Sequence, residues 1–374
     1  LVLETTEVLH HADALFQHSN FSPVPAHLSR EELDGEWWRQ WSYGPYRVAA
    51  WDDAGFLLES NPSYTPAAAG QPGPEARRTK AWRGTFSRDA EFSLAAFSRG
   101  DVDWVVAPLP TGRFPELRRR FGPTLQTEPS LCVFGFFVRD LPREARELLY
   151  CAVDRDTVTS RYLAAGQQPA FDLVPPDFGR DERQGLTRRC ATALASPASL
   201  GRPLRVLANT EGGADRVVNS ILEGARRRAR LDYEITATEW RTMLSLWREG
   251  SGEVAKENGQ QSDGHDLLRY SMCGTPAPLS FLTSLEAGNQ ENFAAYDEPR
   301  YRAALVALRD RADGEDAALA MGAALAALRR DLPFIPVYQH SQVYLVREDL
   351  EGFVPDELGH HPLHRLRATR GLAP

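Results

Sequence analysis

Between Tyr46 and Ser60 the polar and apolar positions spell a hairpin. Tyr46, Val48 and Ala50 are spaced for one face of an extended strand, and Gly44-Pro45 is the turn that launches it. Asp52-Asp53 with Gly55 has the residues of a tight turn, and Phe56-Leu57-Leu58 returns as the second strand. Asn61-Pro62 ends that strand, because proline has no N–H to give a ladder. Ala67–Lys80 is rich in Pro, Gly and Ala and reads as a loop. Phe92, Leu94, Ala95 and Phe97 fit a short helix ended by Gly100. Asp101–Val106 reads as a short strand closed by Pro108 and Pro110.

The pattern then becomes a mixed one. Leu131–Val138 is a continuous apolar run, the mark of a buried strand. Leu141–Leu163 is helical, with Pro142 in its first turn and Ala145, Leu148, Leu149, Ala152 and Val153 at helical spacing. Asp154–Asp156 marks a break between two helices inside it rather than a pair of catalytic acids. Gln168–Pro176 is a loop. From Leu204 the chain alternates: a strand at Leu204–Ala208, a helix at Val217–Ala229, a strand at Tyr233–Thr236 and a helix from Trp240 through Trp247. That alternation predicts an α/β lobe. Ser251–Gly264 is a polar, glycine-rich insert. Helices at Tyr301–Leu308 and Ala317–Arg330 lead into an apolar strand at Phe334–Tyr338.

Composition narrows the function classes. The 374 residues are enough for two domains with real cores, and a formal net charge of −8 argues against a nucleic-acid partner. The arginine triplets Arg118–Arg120 and Arg226–Arg228 sit in amphipathic helical surroundings and read as solvated faces. No apolar run approaches the roughly 20 residues of a membrane span. The start, Leu1 to Thr6, shows no basic region and no cleavage site of a secretory signal.

The ordered motifs resemble a known family. Gly44-Pro45-Tyr46, strand, turn, strand, then Asn61-Pro62-Ser63-Tyr64, is similar to the signature of the family 5 extracellular solute-binding proteins, receptors of peptide and nickel ABC importers. Further similarities follow in order: Gly100-Asp101-Val102-Asp103, Tyr150–Asp156, Leu204–Asn209, Glu239-Trp240 and Phe334–Tyr338. The resemblance implies an α/β, two-lobed periplasmic binding protein of type II, of the oligopeptide-, dipeptide- or nickel-binding kind and nearest the oligopeptide binders. Residues 1–131 would be a partial proximal lobe, 132–337 a distal lobe and 338–374 a return to the proximal lobe, with crossover strands near Cys132 and Tyr338. Leu1–Leu28 resembles a stretch found inside family members, so an N-terminal part of the same protein is expected to be missing here.

The family also implies a site. Four cysteines permit three pairings, and spacing alone favours four buried free thiols in a cytoplasmic protein, a reading that the family context reverses for Cys132 and Cys273. The contexts of Cys132 and Cys273 resemble the paired cysteines at the ligand cleft of oligopeptide-binding members. Such a bond would be worth up to roughly 5 kcal/mol from chain entropy. Cys151 and Cys190, both on expected helices, stay open. Arg269 matches the family's arginine before the cleft cysteine, where it would meet a peptide carboxylate. Trp240 matches a tryptophan lining a side-chain pocket, and Tyr338 ends the crossover strand. Three positions depart from the pattern. Thr275 stands where an aspartate holds the peptide ammonium, Met272 where a cleft tryptophan lies, and Trp247 where some members carry an arginine.

The expected function is ligand capture in the cleft between the lobes by the substrate-binding component of an ABC importer, with a small peptide or peptide-like ligand and the membrane permease as partners. The expected location is periplasmic, or lipid-anchored on the outer face of the cytoplasmic membrane. The alternatives are a cytosolic ligand sensor, a non-transport scaffold on the same fold, or a binder of a non-peptide solute. No enzyme is expected: no G-x-S-x-G, H-E-x-x-H or Walker A loop occurs. No cofactor and no metal are expected either, and His360, His361 and His364 read as exposed tail histidines.

Overall fold

A computed structural model describes residues 26–33, 41–64, 79–87, 89–106, 109, 113–178, 183–195, 200–249, 264–310 and 315–369. The segment through residue 25, most of the Ala67–Lys80 loop, Pro108, Pro110 and the insert up to residue 263 lie outside the described residues. The chain divides into two compact units. A small unit draws on Ser19–Glu128 and Gln342–Pro374, and a large unit on Pro129–Ser341.

The small unit opens with the expected hairpin, β1 (Tyr46–Trp51) against β2 (Gly55–Ser60), joined by β3 (Ala81–Thr85) on the far side of β2. Asp52 makes the turn: its Oδ1 accepts from the N–H groups of Ala54 and Gly55. The face assigned to Tyr46, Val48 and Ala50 is corrected by a bulge. Val48 pairs with Leu58 but Ala50 with Leu57, so Ala49 is the extra residue and Ala50 lies on the side opposite Val48. Asn61 does more than precede a proline. Its Nδ2 donates to the carbonyls of Ser42 and Gly44, and its Oδ1 accepts from the Ser63 N–H, so one buried amide ties both ends of the hairpin.

Next come α1 (Ala90–Arg99), β4 (Trp104–Val106) and α2 (Phe114–Phe121). Asp89 caps α1, and Gly100 ends it with φ of 80°, a conformation that favours glycine. Arg118–Arg120 are exposed along α2, as expected of a solvated face.

β5 (Leu125–Val138) carries the chain into the large unit. There follow α3 (Arg143–Ala152), a helical turn at Arg155–Thr157 running into a π-type stretch at Val158–Leu163, and β6 (Gln168–Pro169). The helix break falls where the sequence placed it: Asp154 accepts from the Thr157 N–H as an N-cap. Then come α4 (Arg183–Ala195), β7 (Leu204–Asn209), α5 (Ala214–Ala229), β8 (Tyr233–Thr238), α6 (Trp240–Glu249), β9 (Leu267–Cys273), α7 (Pro278–Thr283), α8 (Pro299–Arg309), α9 (Glu315–Asp331) and β10 (Phe334–Val346). Arg226–Arg228 close α5 and are exposed there.

Within the large unit the strand order is β10–β5–β9–β7–β8, with β6 on β10. β7 runs parallel to both β8 and β9, and β5 is antiparallel to β9. One face of this sheet buries Phe134, Phe136, Val206 and Leu267 against Leu148 and Leu149 of α3 and Ile221 and Leu222 of α5. Burial of each such side chain stabilises by roughly 1.5–3 kcal/mol. Two disulfides lie in this unit. Cys132–Cys273 joins residues directly opposite one another on β5 and β9, with a Cα–Cα distance of 4.0 Å. Cys151–Cys190 staples α3 to α4.

β10 ends in the small unit, where Tyr344–Val346 pairs with β4. The chain closes through β11 (Leu350–Glu351) and β12 (Arg367–Ala368). His361 differs from an exposed tail residue: it is half-buried, packed on Trp104, Tyr344 and Phe353 with ring centroids 4.9, 5.1 and 5.7 Å away. Among the described residues no helix is long and apolar enough to cross a membrane.

Candidate functional site

Because β7, β8 and β9 are parallel, their carboxyl ends share one edge of the large unit's sheet, the edge at which open α/β sheets bind ligands. Asn209, Thr238 and Cys273 end these strands. The loop Thr210–Gly213 leaves β7 there, and its Thr210 N–H donates to the Thr238 carbonyl.

Pairing sorts the side chains of this edge. Arg269, Ser271 and Cys273 of β9 stand opposite Phe136, Phe134 and Cys132 of β5, so these residues share a face. The Arg269 guanidinium lies over the Phe134 ring, 5.0 Å from its centroid, a cation–π contact. Phe134 in turn is stacked on Tyr338, with centroids 4.6 Å apart and planes 7° from parallel. Thus the structure brings Arg269, Tyr338 and the Cys132–Cys273 bridge together, and adds Phe134 between them.

Arg269 has no hydrogen-bond or ion-pair partner among the described residues, and its Nε is buried without one. Burial pulls its pKa down from the ordinary guanidinium value, yet an arginine stays charged. A half-buried cation with no carboxylate in hydrogen-bond contact is costly, and an anion would satisfy its open donors.

Beside it, Ser271 Oγ and His340 Nε2 share a hydrogen bond at 2.9 Å. The His340 ring packs on Tyr338 with centroids 5.1 Å apart. Burial, and secondarily the Arg269 charge, pushes the His340 pKa down to about 4. A histidine that binds its proton more weakly when folded leaves stability intact above its free pKa and removes it as pH falls through the window from 6.5 to about 4. The loss attributable to His340 is roughly 3 kcal/mol. Denaturant melts at pH 7 and pH 4 check it: His340→Gln is expected to shrink the difference between them, while an unchanged difference would assign the acid loss to His265 and His361, whose pKa values burial also lowers.

Three other expected site residues lie off the Arg269 face. Trp240 opens α6, half-buried, with its ring stacked on Tyr270 at 5.6 Å, on the side of β9 opposite Arg269. Met272 is fully buried on that same side. Trp247 is 1% exposed; its indole N–H donates to the Phe293 carbonyl, and the Arg139 guanidinium covers its ring at 3.9 Å. Neither Met272 nor Trp247 shares the Arg269 face, because strand alternation turns one inward and helix packing covers the other. Thr275 follows β9 and is half-buried, with its N–H bonded to Ser280 Oγ.

Sequence reasoning missed Phe134, Ser271, His340, Glu211 and Asn209. Two signals were available: Cys132 and Phe134 alternate onto one face of β5, and Ser271 alternates with Arg269 and Cys273 on β9. Glu211 lies in the loop after β7. Its Oε1 accepts from the Trp240 N–H and its Oε2 from Asn209 Nδ2, both at 2.8 Å. The Trp240 N–H, the Asn209 amide and the Arg269 charge hold its carboxyl below the usual range.

No family model matches the chain. It is 20% identical over 84% of its length to the oligopeptide-binding protein OppA of Bacillus subtilis. It is 21% identical over 94% to the periplasmic oligopeptide-binding protein OppA of Haemophilus influenzae, and 22% identical over 68% to the periplasmic murein peptide-binding protein MppA of Escherichia coli. The matches span 58%, 66% and 48% of those proteins' own lengths. Each is by name a binding protein. Among solved structures, Haemophilus influenzae OppA in complex with the peptide RPPGFSPFR superposes with a TM-score of 0.73 at 19% identity, covering 98% of this chain and 72% of that one. The unliganded open form of MppA gives 0.69 at 18% identity, covering 97% and 70%. The fold expected from the motifs is therefore the fold observed. This chain is similar to the oligopeptide-binding members of the family 5 extracellular solute-binding proteins, and it folds as they do.

Proposed function

We propose that this chain is the solute-capturing part of the substrate-binding component of an ABC-type importer, and that its ligand is a peptide or peptide-like solute whose carboxylate meets Arg269. One observation carries this reading: a half-buried guanidinium without a partner among the described residues, floored by Phe134 and Tyr338, at the carboxyl edge of parallel strands. A bidentate carboxylate satisfies that guanidinium, and the exposed end of β9 offers backbone groups to an extended ligand. Trp240 stacked on Tyr270 forms one wall of a side-chain pocket. The names of the similar proteins, two OppA receptors and MppA, support the ligand class. A membrane permease is the partner such a role requires. Two disulfides support a compartment outside the reducing cytosol, periplasmic or on the outer membrane face, and weigh against a cytosolic sensor.

Arg269→Met separates binding from folding. It is expected to weaken peptide binding at least about tenfold, the cost of a lost charge-assisted pair. Thermal stability should hold or rise, since no protein carboxylate is left unpaired. Calorimetric titration with short peptides and a melting curve check both. Undiminished binding by the variant would sink the assignment.

A further inference from the structure

We infer that this chain self-associates through α9 (Glu315–Asp331), which pairs antiparallel with the α9 of a second copy about a twofold axis near Gly322 and Ala323. This goes beyond the function proposed above and does not rest on it.

α9 is apolar on two faces, and its own chain covers only one of them. Ala320, Ala324, Leu325, Ala327 and Leu328 are buried, and the helix packs against α8. Leu319, Gly322 and Ala326 recur at helical spacing on the opposite side, and all three are exposed. Leu319 is 73% exposed, more than any other large apolar side chain among the described residues. A surface helix ordinarily turns polar side chains to water, yet Ala317–Leu328 contains none. On α8, Val306 is 55% exposed, so the helical hairpin shows a second large apolar side chain to solvent.

Size and charge on this face select a second copy. With the axis near Gly322 and Ala323, Leu319 of one copy comes level with Ala326 of the other, so a large side chain meets a small one. A Cβ built on Gly322 would find nothing within 4 Å, and without one the two backbones can approach more closely than the usual 8–10 Å or so between helix axes. At the ends, the first turn carries Glu315 and Asp316 and the last turn Arg329 and Arg330. Antiparallel pairing therefore sets each acidic end beside the other copy's basic end, with the helix dipoles opposed. Arg330 already holds Glu298 and Asp331 at 3.3 and 2.7 Å, so the incoming Glu315 joins a network that is in place. Parallel pairing would set acid on acid and base on base. At about 1.5 Å per residue α9 is roughly 25 Å long, so the contact is small and the association is weak and reversible.

Sedimentation velocity over roughly 1–200 µM chain, the range in which small interfaces associate, tests this. The wild type is expected to move from monomer toward dimer as concentration rises. Leu319→Glu should stay monomeric throughout, because pairing would bury its carboxylate. Gly322→Gln should stay monomeric too, yet at the dilute end it should melt no lower than wild type: the position is open in the single chain, and glutamine favours helix over glycine. That combination separates a lost contact from a lost fold. Cross-linking reads the orientation. The native chain has no free cysteine, so Leu319→Cys and Ala326→Cys each add a single thiol. Under mild oxidation the two variants should link to each other, and neither to itself. A wild type that remains monomeric at the highest concentration overturns the inference and leaves the face to a different protein. A dimer that survives Leu319→Glu, or a Leu319→Cys chain that links to itself, overturns the antiparallel α9 pairing.

Discussion

Reducing both disulfides is expected to lower the melting temperature of the large unit by on the order of 10–20 °C, the largest effect that any mild treatment should have on this chain. The Cys132–Cys273 bond closes a separation of 141 positions and the Cys151–Cys190 bond one of 39. Chain entropy puts upper values of about 5 and about 4 kcal/mol on them, and residual structure in the unfolded chain takes back part of each. Together they rival the roughly 5–15 kcal/mol by which a domain is stable. Of the paired variants, Cys132→Ser with Cys273→Ser should cost more than Cys151→Ser with Cys190→Ser, because the longer loop regains more freedom. Calorimetric melts with and without a dithiol, alongside thiol titration, check this. Equal melting temperatures with four titratable thiols would show that packing alone holds the unit.

Arg155→Met should be the most damaging single substitution, costing about 4 kcal/mol or more. Arg155 is 4% exposed. Its Nε donates to the carbonyls of Ala170 and Pro336, its Nη1 to those of Tyr150 and Val153, and its Nη2 again to Pro336, over 2.7–3.3 Å. The guanidinium also lies over the rings of Tyr150 and Phe171. One side chain thus joins the end of α3, the β6 region and the start of β10. Methionine fills the volume but donates nothing, and four buried carbonyls lose their partner, each at about 1–3 kcal/mol. Arg155→Lys should recover only part, since an ammonium lacks the planar fork. Urea melts measure the loss, and a methionine variant within about 1 kcal/mol of wild type would mean that water replaces the guanidinium.

These two features also show what the sequence could reveal. The Asp154–Asp156 helix break, the Gly100 stop and the α/β alternation after Leu204 follow from local rules, and the structure has them. β9 escaped because Leu267–Cys273 buries one alternating set while Arg269, Ser271 and Cys273 occupy the other face, so the run looks neither apolar nor cleanly amphipathic. The second half of β10 escaped for a related reason. Gln339, polar by composition, is buried because its Nε2 donates to the Ser130 carbonyl far away in the chain. Long-range hydrogen bonds of this kind leave no periodic trace.

The grouping of residues at the candidate site was legible in part, and mostly through resemblance. Arg269, Tyr338 and the Cys132–Cys273 pair meet on one face. The tryptophans of α6 show what spacing leaves open. Trp240 and Trp247 are spaced to lie on one side of the helix, roughly 10 Å apart along its axis. Trp240 sits at the carboxyl edge against Tyr270, whereas Trp247, two turns deeper, is sealed under Arg139 and Phe293. Helical period sees which face a residue takes, but not how deep along the axis the core begins. Glu211 was hidden by a different gap, since only the fold brings the end of β7 beside a strand that starts at Leu267.

The most direct test of the central claim is native mass spectrometry of the chain, purified without reductant and mixed with short peptides. Ligand capture through Arg269 predicts peptide-bearing ions for the wild type and their loss in Arg269→Met at equal folding. Bare ions from both proteins, or peptide adducts that survive the substitution, would contradict it.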